Sequence, residues 1–258
     1  MQVLDFGYVN LVETWGSDER IIEAARMSTD KGFQGWGERC KKCGITQKAF
    51  ANDFDGPLWT GCINRTDHEW QSGDEKLLRY LWENKHMTPF EMAGMIIEIQ
   101  APIFVVREWQ RHRTQSYNEL SGRYTTLPDL YYIPSVERLI AGRQAVANKQ
   151  GSEDGFTEAD AISIRQDIHN AAQDARFQYE KLLARGVARE LARLVVPVNQ
   201  YTRFRASANL RNWLQFLDLR LPDNVQWEFR QYSKAVVTLI QEYFPRTYTL
   251  FDEERNAN

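Results

Sequence analysis

The segment Met95-Ile96-Ile97-Glu98-Ile99-Gln100 constrains the fold more than any other. Its apolar residues partly alternate with polar ones, the pattern of a strand with one buried face. Pro102 follows at once, placed as the first residue of a helix running to about Arg111. A strand that passes directly into a helix calls for a fold that packs both element types together, and the rest of the chain carries the same mixture. Helical spacing marks Glu19 to Met27, with Ser17 or Asp18 as cap, and Glu75 to Asn84, where Leu77, Leu78, Leu81 and Trp82 share a face. Further helices are expected from about Glu158 to Leu183, from Ala188 to Val195, from Leu210 to Leu219, and from Asp223 to Tyr243 after Pro222. Leu130 to Ile133 and Val196 to Ala206 read as strands, whereas Thr114 to Tyr124 mixes Asn, Ser and Gly and reads as a loop. Residues 29–73 hold glycines at 32, 35, 37, 44, 56, 61 and 73 without periodicity, a loop-rich insertion, and residues 141–156 read as a mobile surface connection. Neither a repeat nor a second-domain boundary is evident.

A hydrophobic content of 43% over 258 residues supplies a real core. No stretch approaches the roughly 20 apolar residues that span a bilayer, and the N-terminus lacks the basic and apolar regions of a secretory signal. A cytoplasmic protein without membrane contact is expected. Its three cysteines, Cys40, Cys43 and Cys62, are too few and too crowded for a disulfide framework. With His68 they give the spacing C-x2-C-x18-C-x5-H, which suits a tetrahedral zinc site, although free thiols are the simpler reading. A net charge of −3 excludes a uniformly basic nucleic-acid coat. The cations are nonetheless unevenly sorted. No lysine occurs from His86 to Asn148 or from Leu182 to Ser233, stretches that carry Arg107, Arg111, Arg113, Arg123, Arg193, Arg203, Arg205, Arg211 and Arg220. Guanidinium forks hold phosphate and carboxylate oxygens bidentately, so the bias suits planar or phosphorylated anions; ordinary surface ion pairs are the competing account.

Arg111-His112-Arg113 concentrates this chemistry at the expected end of a helix, and Asn118, Glu119, Ser121 and Arg123 follow within ten residues. Taken alone the cluster is also compatible with a solvated helix terminus, where the dipole favours cations. Glycine-rich dinucleotide and P-loop fingerprints are absent, so any nucleotide cofactor would be held by arginines and loops. No cysteine follows Cys62, which disfavours a cysteine nucleophile, and Ser121 has no adjacent base in sequence.

The run Arg111-His112-Arg113-x7-Ser121, inside Arg-His-Arg-Thr-Gln-Ser-Tyr-Asn-Glu-Leu-Ser-Gly-Arg-Tyr, resembles the defining motif of the flavin-dependent thymidylate synthases. The likeness extends to Ala25-Arg26-Met27-Ser28, His86-Met87-Thr88-Pro89-Phe90-Glu91, Ala101-Pro102-Ile103-Phe104 and most of Gly186 to Tyr232; the insertions at about 29–72 and 140–158 have no counterpart. It implies one α/β domain of the α+β type over residues 1–258, with a mixed or antiparallel sheet flanked by helices, assembling as a homotetramer with active sites shared between subunits. It further implies methylation of dUMP to dTMP with methylenetetrahydrofolate as carbon donor, FAD as hydride carrier and NADPH as reductant. By position, Thr88, Arg111, His112, Arg113, Glu119, Asn209, Arg211 and Gln215 would contact FAD, with His86 near the flavin ring and Ser28 a further candidate for its phosphates. The nucleotide would rest on Glu108, Gln110, Arg111, Glu119, Leu120, Ser121, Gly122, Arg123 and Arg193, with Arg220 facing the uracil as the catalytic group. Three matched positions depart from the family: Glu108 where glutamine is usual, Gln215 where asparagine is common, and Asn224 where histidine is frequent. A carboxylate at 108 would repel a nucleotide phosphate unless it pairs with Arg107 or Arg111 or offers only its backbone. The alternatives are a relative that hydroxymethylates dUMP, and a non-catalytic nucleotide or nucleic-acid binding module with steep salt dependence.

Overall fold

A five-stranded sheet forms the frame in the computed structural model, which describes residues 1–42, 69–71, 73–144, 152–153 and 155–257. Its strands are β1 (Gln2–Val3), β2 (Gly7–Trp15), β5 (Gly94–Pro102), β6 (Ser116–Glu119) and β9 (Tyr201–Asn209), in the order β1-β2-β5-β9-β6. β1 pairs with β2 antiparallel, and β6 with β9 likewise, placing Tyr117 opposite Ala206. Two short antiparallel pairs lie in the insertions: β3 (Arg39–Cys40) with β4 (Trp70–Gln71), and β7 (Arg143–Gln144) with β8 (Ser152–Glu153). The helices are α1 (Asp18–Arg26), α2 (Asp74–Glu83), α3 (Ile103–Trp109), α4 (Val136–Ile140), α5 (Glu158–Ala184), α6 (Arg189–Ala192), α7 (Leu210–Arg220), α8 (Trp227–Tyr243) and α9 (Pro245–Ala257). The fold is thus mixed α/β.

The chain forms two compact units. One comprises residues 1–14, 95–208 and 212–239, the other residues 15–94, 209–211 and 240–258. In the first, β5 buries Met95, Ile97, Ile99 and Ala101 completely, the alternation expected of a half-buried strand. Trp109 anchors this core, stacked on Phe216 at 4.9 Å between centroids, with Phe204 and Phe229 each at 5.4 Å. Its indole N–H donates to Gln115 Oε1 at 3.0 Å, so the buried polar atom is satisfied. In the second unit Ile21, Ile22, Leu78, Leu81, Trp82 and Phe90 form the interior. Two buried carboxylates organise it. Asp18 accepts from the backbone of Arg246 and Thr247 at the start of α9, and Asp74 holds Arg26 and the Gln34 N–H.

Four local readings are corrected. The helix after β5 ends at Trp109, so Arg111, His112 and Arg113 lie beyond it in a series of tight turns. The Tyr117 hydroxyl donates to His112 O at 2.8 Å and lies 3.1 Å from Trp109 O, occupying carbonyls that a continuing helix would need. Ser116–Glu119 is a strand, not a loop: at a sheet edge the backbone pairs while polar side chains face outward. Leu130 to Ile133 makes only an isolated bridge between Tyr131 and Gln200, since Pro128 and Pro134 frame it and lack donors. Finally, β9 begins at Tyr201, because residues 197–200 are used in a turn closed by Gln200 N–H to Pro197 O.

Cys43, Cys62 and His68 of the proposed zinc spacing, most of the first insertion and part of the second lie outside the described residues; Cys40 is buried. Among the described residues, no helix is long and apolar enough to cross a membrane.

Candidate active site

Within the first unit, the end of α3 and the C-terminus of α7 bring three of the expected residues together. Arg220 Nε–H donates to His112 Nε2 at 2.7 Å, and its Nη1 forms an ion pair with Glu108 Oε1. The guanidinium carbon stands 5.1 Å from the centre of the Phe229 ring. Because Nε2 accepts this bond, His112 is neutral and carries its proton on Nδ1. Burial, reinforced by the charge of Arg220, pushes its pKa down to about 4. Burial also pushes the Glu108 carboxyl up, against the opposing pull of Arg220. Glu108 therefore pairs with neither Arg107 nor Arg111 but with Arg220.

A second group surrounds Ser121. Arg123 N–H donates to Ser121 Oγ at 3.3 Å, and Tyr124 N–H to Ser121 O at 3.0 Å, which closes a turn. Gly122 is buried in this turn, and a Cβ there would lie 3.2 Å from Leu127 Cδ2 and 3.4 Å from Arg193 Cδ. The tight neighbour is Leu127, against which the glycine backbone packs, while Arg193 lies at ordinary contact distance from the turn. Glu119 is held by Gln110 Nε2 at 3.1 Å and by the Thr202 hydroxyl at 2.8 Å. Thr202 and Phe229 were not assigned from sequence; the burial alternation of β9 and the aromatic face of α8 are the only signals that mark them. Arg111, Arg113, Arg123 and Arg193 are exposed, and none makes an ion pair among the described residues. Arg123 contacts the Tyr124 ring at 5.3 Å. Leu120 is partly buried, and Gln215 is exposed on α7.

The second unit carries the remaining expected residues. Arg211, in the first turn of α7, pairs with Glu91. Leu210 N–H donates to Ala93 O at 2.7 Å, tying that turn to the segment that follows the 3-10 turn Thr88–Met92. His86 packs edge-on against Tyr80 at 5.7 Å between ring centres, directly after Lys85 at φ 56°. Ser28 Oγ donates to Ala25 O at 3.1 Å, and Asn209 ends β9. A cavity of about 670 Å3 elsewhere in the first unit is lined by Asp5, Tyr131, Arg138, Arg165, His169 and Trp227, and includes none of the expected site residues.

A mixed α/β protein with exposed arginines on turns and no glycine-rich phosphate fingerprint is the class this arrangement defines. The chain belongs to the flavin-dependent thymidylate synthase family: residues 10–246 match the family model described as thymidylate synthase complementing protein. It is 37% identical over 251 residues to a flavin-dependent thymidylate synthase of Thermus thermophilus, covering 97% of this chain and 77% of that protein. With the enzyme of the same description from Wolbachia pipientis wMel the identity is 34%, over 98% of this chain and 76% of the relative. A solved structure of similar fold is the UMP/dUMP methylase PolB from Streptomyces cacaoi bound with 5-Br dUMP, at a TM-score of 0.73 and 28% identity, covering 98% of this chain and 97% of that one.

Proposed function

We propose that this enzyme methylates dUMP reductively to dTMP, taking carbon from methylenetetrahydrofolate and using FAD as hydride carrier and NADPH as reductant, in a homotetramer whose active sites draw on more than one subunit. The observation that carries this reading is the set of four exposed guanidinium groups, Arg111, Arg113, Arg123 and Arg193, without a carboxylate partner among the described residues. In a chain with 35 acidic against 32 basic residues, exposed arginines that no carboxylate neutralises among the described residues are suited to phosphate, and Arg123 and Arg193 lie at the Ser121 turn. Their chemistry fits both a flavin dinucleotide and a nucleoside monophosphate. Arg111, His112 and Arg113, with Thr88, Glu119, Asn209, Arg211, Gln215, His86 and Ser28, are assigned to FAD, which supplies hydride transfer when bound. Ser121, Gly122, Arg123 and Arg193 are assigned to the dUMP phosphate, and Glu108, Gln110, Glu119 and Leu120 to its sugar and base.

Arg220 is assigned to the uracil. A pyrimidine ring accepts a hydride or a carbon unit only as charge developing on its carbonyl oxygens is stabilised, and a guanidinium already fixed by two partners stabilises that charge without reorganising. Thr202 and Gln110 hold the Glu119 carboxylate in one orientation beside the nucleotide turn. The assignment is tested by ligand binding. Arg193→Ala and Arg123→Ala should weaken dUMP binding in calorimetry while leaving FAD uptake intact, and Arg111→Ala with Arg113→Ala should give a colourless protein. Wild-type dUMP affinity in both phosphate variants would overturn the phosphate assignment.

A further inference from the structure

The arginines of this site fall into two electrostatic kinds. Arg123 and Arg193 are exposed and have no carboxylate partner among the described residues, whereas Arg220 is held on three sides. Its Nε–H is taken by His112, its Nη1 by Glu108, and its face by Phe229, with side-chain exposures of 20% for Arg220 and 27% for Glu108. A guanidinium carries five N–H donors, so three remain for a ligand. A nucleoside monophosphate likewise has two kinds of end: a charged phosphate and a neutral ring edge bearing carbonyl oxygens. An uncompensated arginine at the ring end would take up phosphate bidentately and hold the nucleotide backwards, or trap a free anion. A paired arginine keeps its directional donors while its net charge is cancelled, so it favours a neutral carbonyl over a dianion.

We propose that Glu108 is the positioning residue that sorts the two ends of the nucleotide. It fixes Arg220 for the ring and cancels its charge, leaving phosphate to Arg123 and Arg193. The proposal rests on the assignment of Arg220 to the uracil. It also accounts for a carboxylate at a position expected to repel phosphate: the repulsion is directed at the ring end, where phosphate is unwanted.

The test uses the full-length enzyme loaded with FAD, with Glu108→Gln and Glu108→Ala, and inorganic phosphate as probe. Glutamine keeps an oxygen that accepts from Nη1 but removes the charge. Glu108→Gln should bind phosphate about tenfold more tightly, since a unit charge a few ångströms away in a half-buried site is uncovered. Glu108→Ala removes both functions: phosphate should again bind about tenfold more tightly, and kcat should fall roughly ten- to a hundredfold because Arg220 is no longer fixed. A residue that serves folding alone would alter stability without moving phosphate affinity. Phosphate is measured by calorimetry as well as by inhibition, so the charge-cancelling role is read even without turnover. Absence of dTMP formation by the wild type would refute the proposed activity. Unchanged phosphate affinity in Glu108→Gln, or wild-type kcat in Glu108→Ala, would refute the sorting role.

Discussion

Acidification should weaken this fold through one ring. His112 is 9% exposed, and burial together with Arg220 lowers its pKa from 6.5 to about 4. In the unfolded chain the ring regains its usual value, so between pH 6.5 and about 4 the unfolded state binds a proton that the folded state refuses. The stability this ring contributes is complete above pH 6.5 and is lost progressively as pH falls toward the folded value. Linkage over the two pKa values gives a loss of about 1.4 kcal/mol at about pH 5.5 and about 2.6 kcal/mol at about pH 4.5. Carboxylates also titrate in the lower part of this window, so the comparison is made with His112→Gln, whose amide oxygen still accepts from Arg220 but does not titrate. Urea unfolding at fixed protein concentration, followed from about pH 7.5 to about 4.5, should show the wild type losing about 2 to 3 kcal/mol more than the variant. Parallel curves for the two proteins would refute a neutral, Arg220-bonded His112.

Two further outcomes concern packing within each unit. Asp74→Ala should destabilise the protein by about 3–5 kcal/mol in urea melts, because it strands Arg26 and leaves the Gln34 N–H without its acceptor; a loss below about 1 kcal/mol would contradict the burial of that pair. Gly7→Ala would drive a Cβ into the Tyr232 hydroxyl and to 2.5 Å from Val3 O. Since Tyr232 donates to Gln100 O at 2.9 Å, the substitution should cost about 1–3 kcal/mol and lower Tm, and an unchanged Tm would show that β2 moves freely there.

Local periodicity made the frame readable in places. The alternation from Met95 to Gln100 is a strand because each second side chain enters the core, and Leu78, Leu81 and Trp82 mark a helix because their spacing makes one buried stripe. Where side chains do not report burial, the reading fails. Ser116–Glu119 pairs with β9 through its backbone while its side chains are mostly exposed, so no alternation marks it, and α9 has no clear stripe because it buries only Thr247, Leu250 and Phe251. The site shows the same division. Arg111, His112, Arg113 and Ser121 are legible as a local cluster, but sequence proximity points Glu108 to Arg107 and Arg111, whereas its partner lies 112 residues away. Neighbours one apart on a helix point about 100° from each other and do not meet. The guanidinium that reaches the Glu108 carboxylate comes from the end of another helix, which no local pattern indicates.

The most direct test of the activity is the mass of the nucleotide recovered after the purified protein is incubated with dUMP, methylenetetrahydrofolate, FAD and NADPH. The account predicts a product heavier than dUMP by one methylene unit, formed only when both FAD and NADPH are present. A product heavier by a hydroxymethylene unit, or dUMP recovered unchanged by a protein that has taken up FAD, would contradict it.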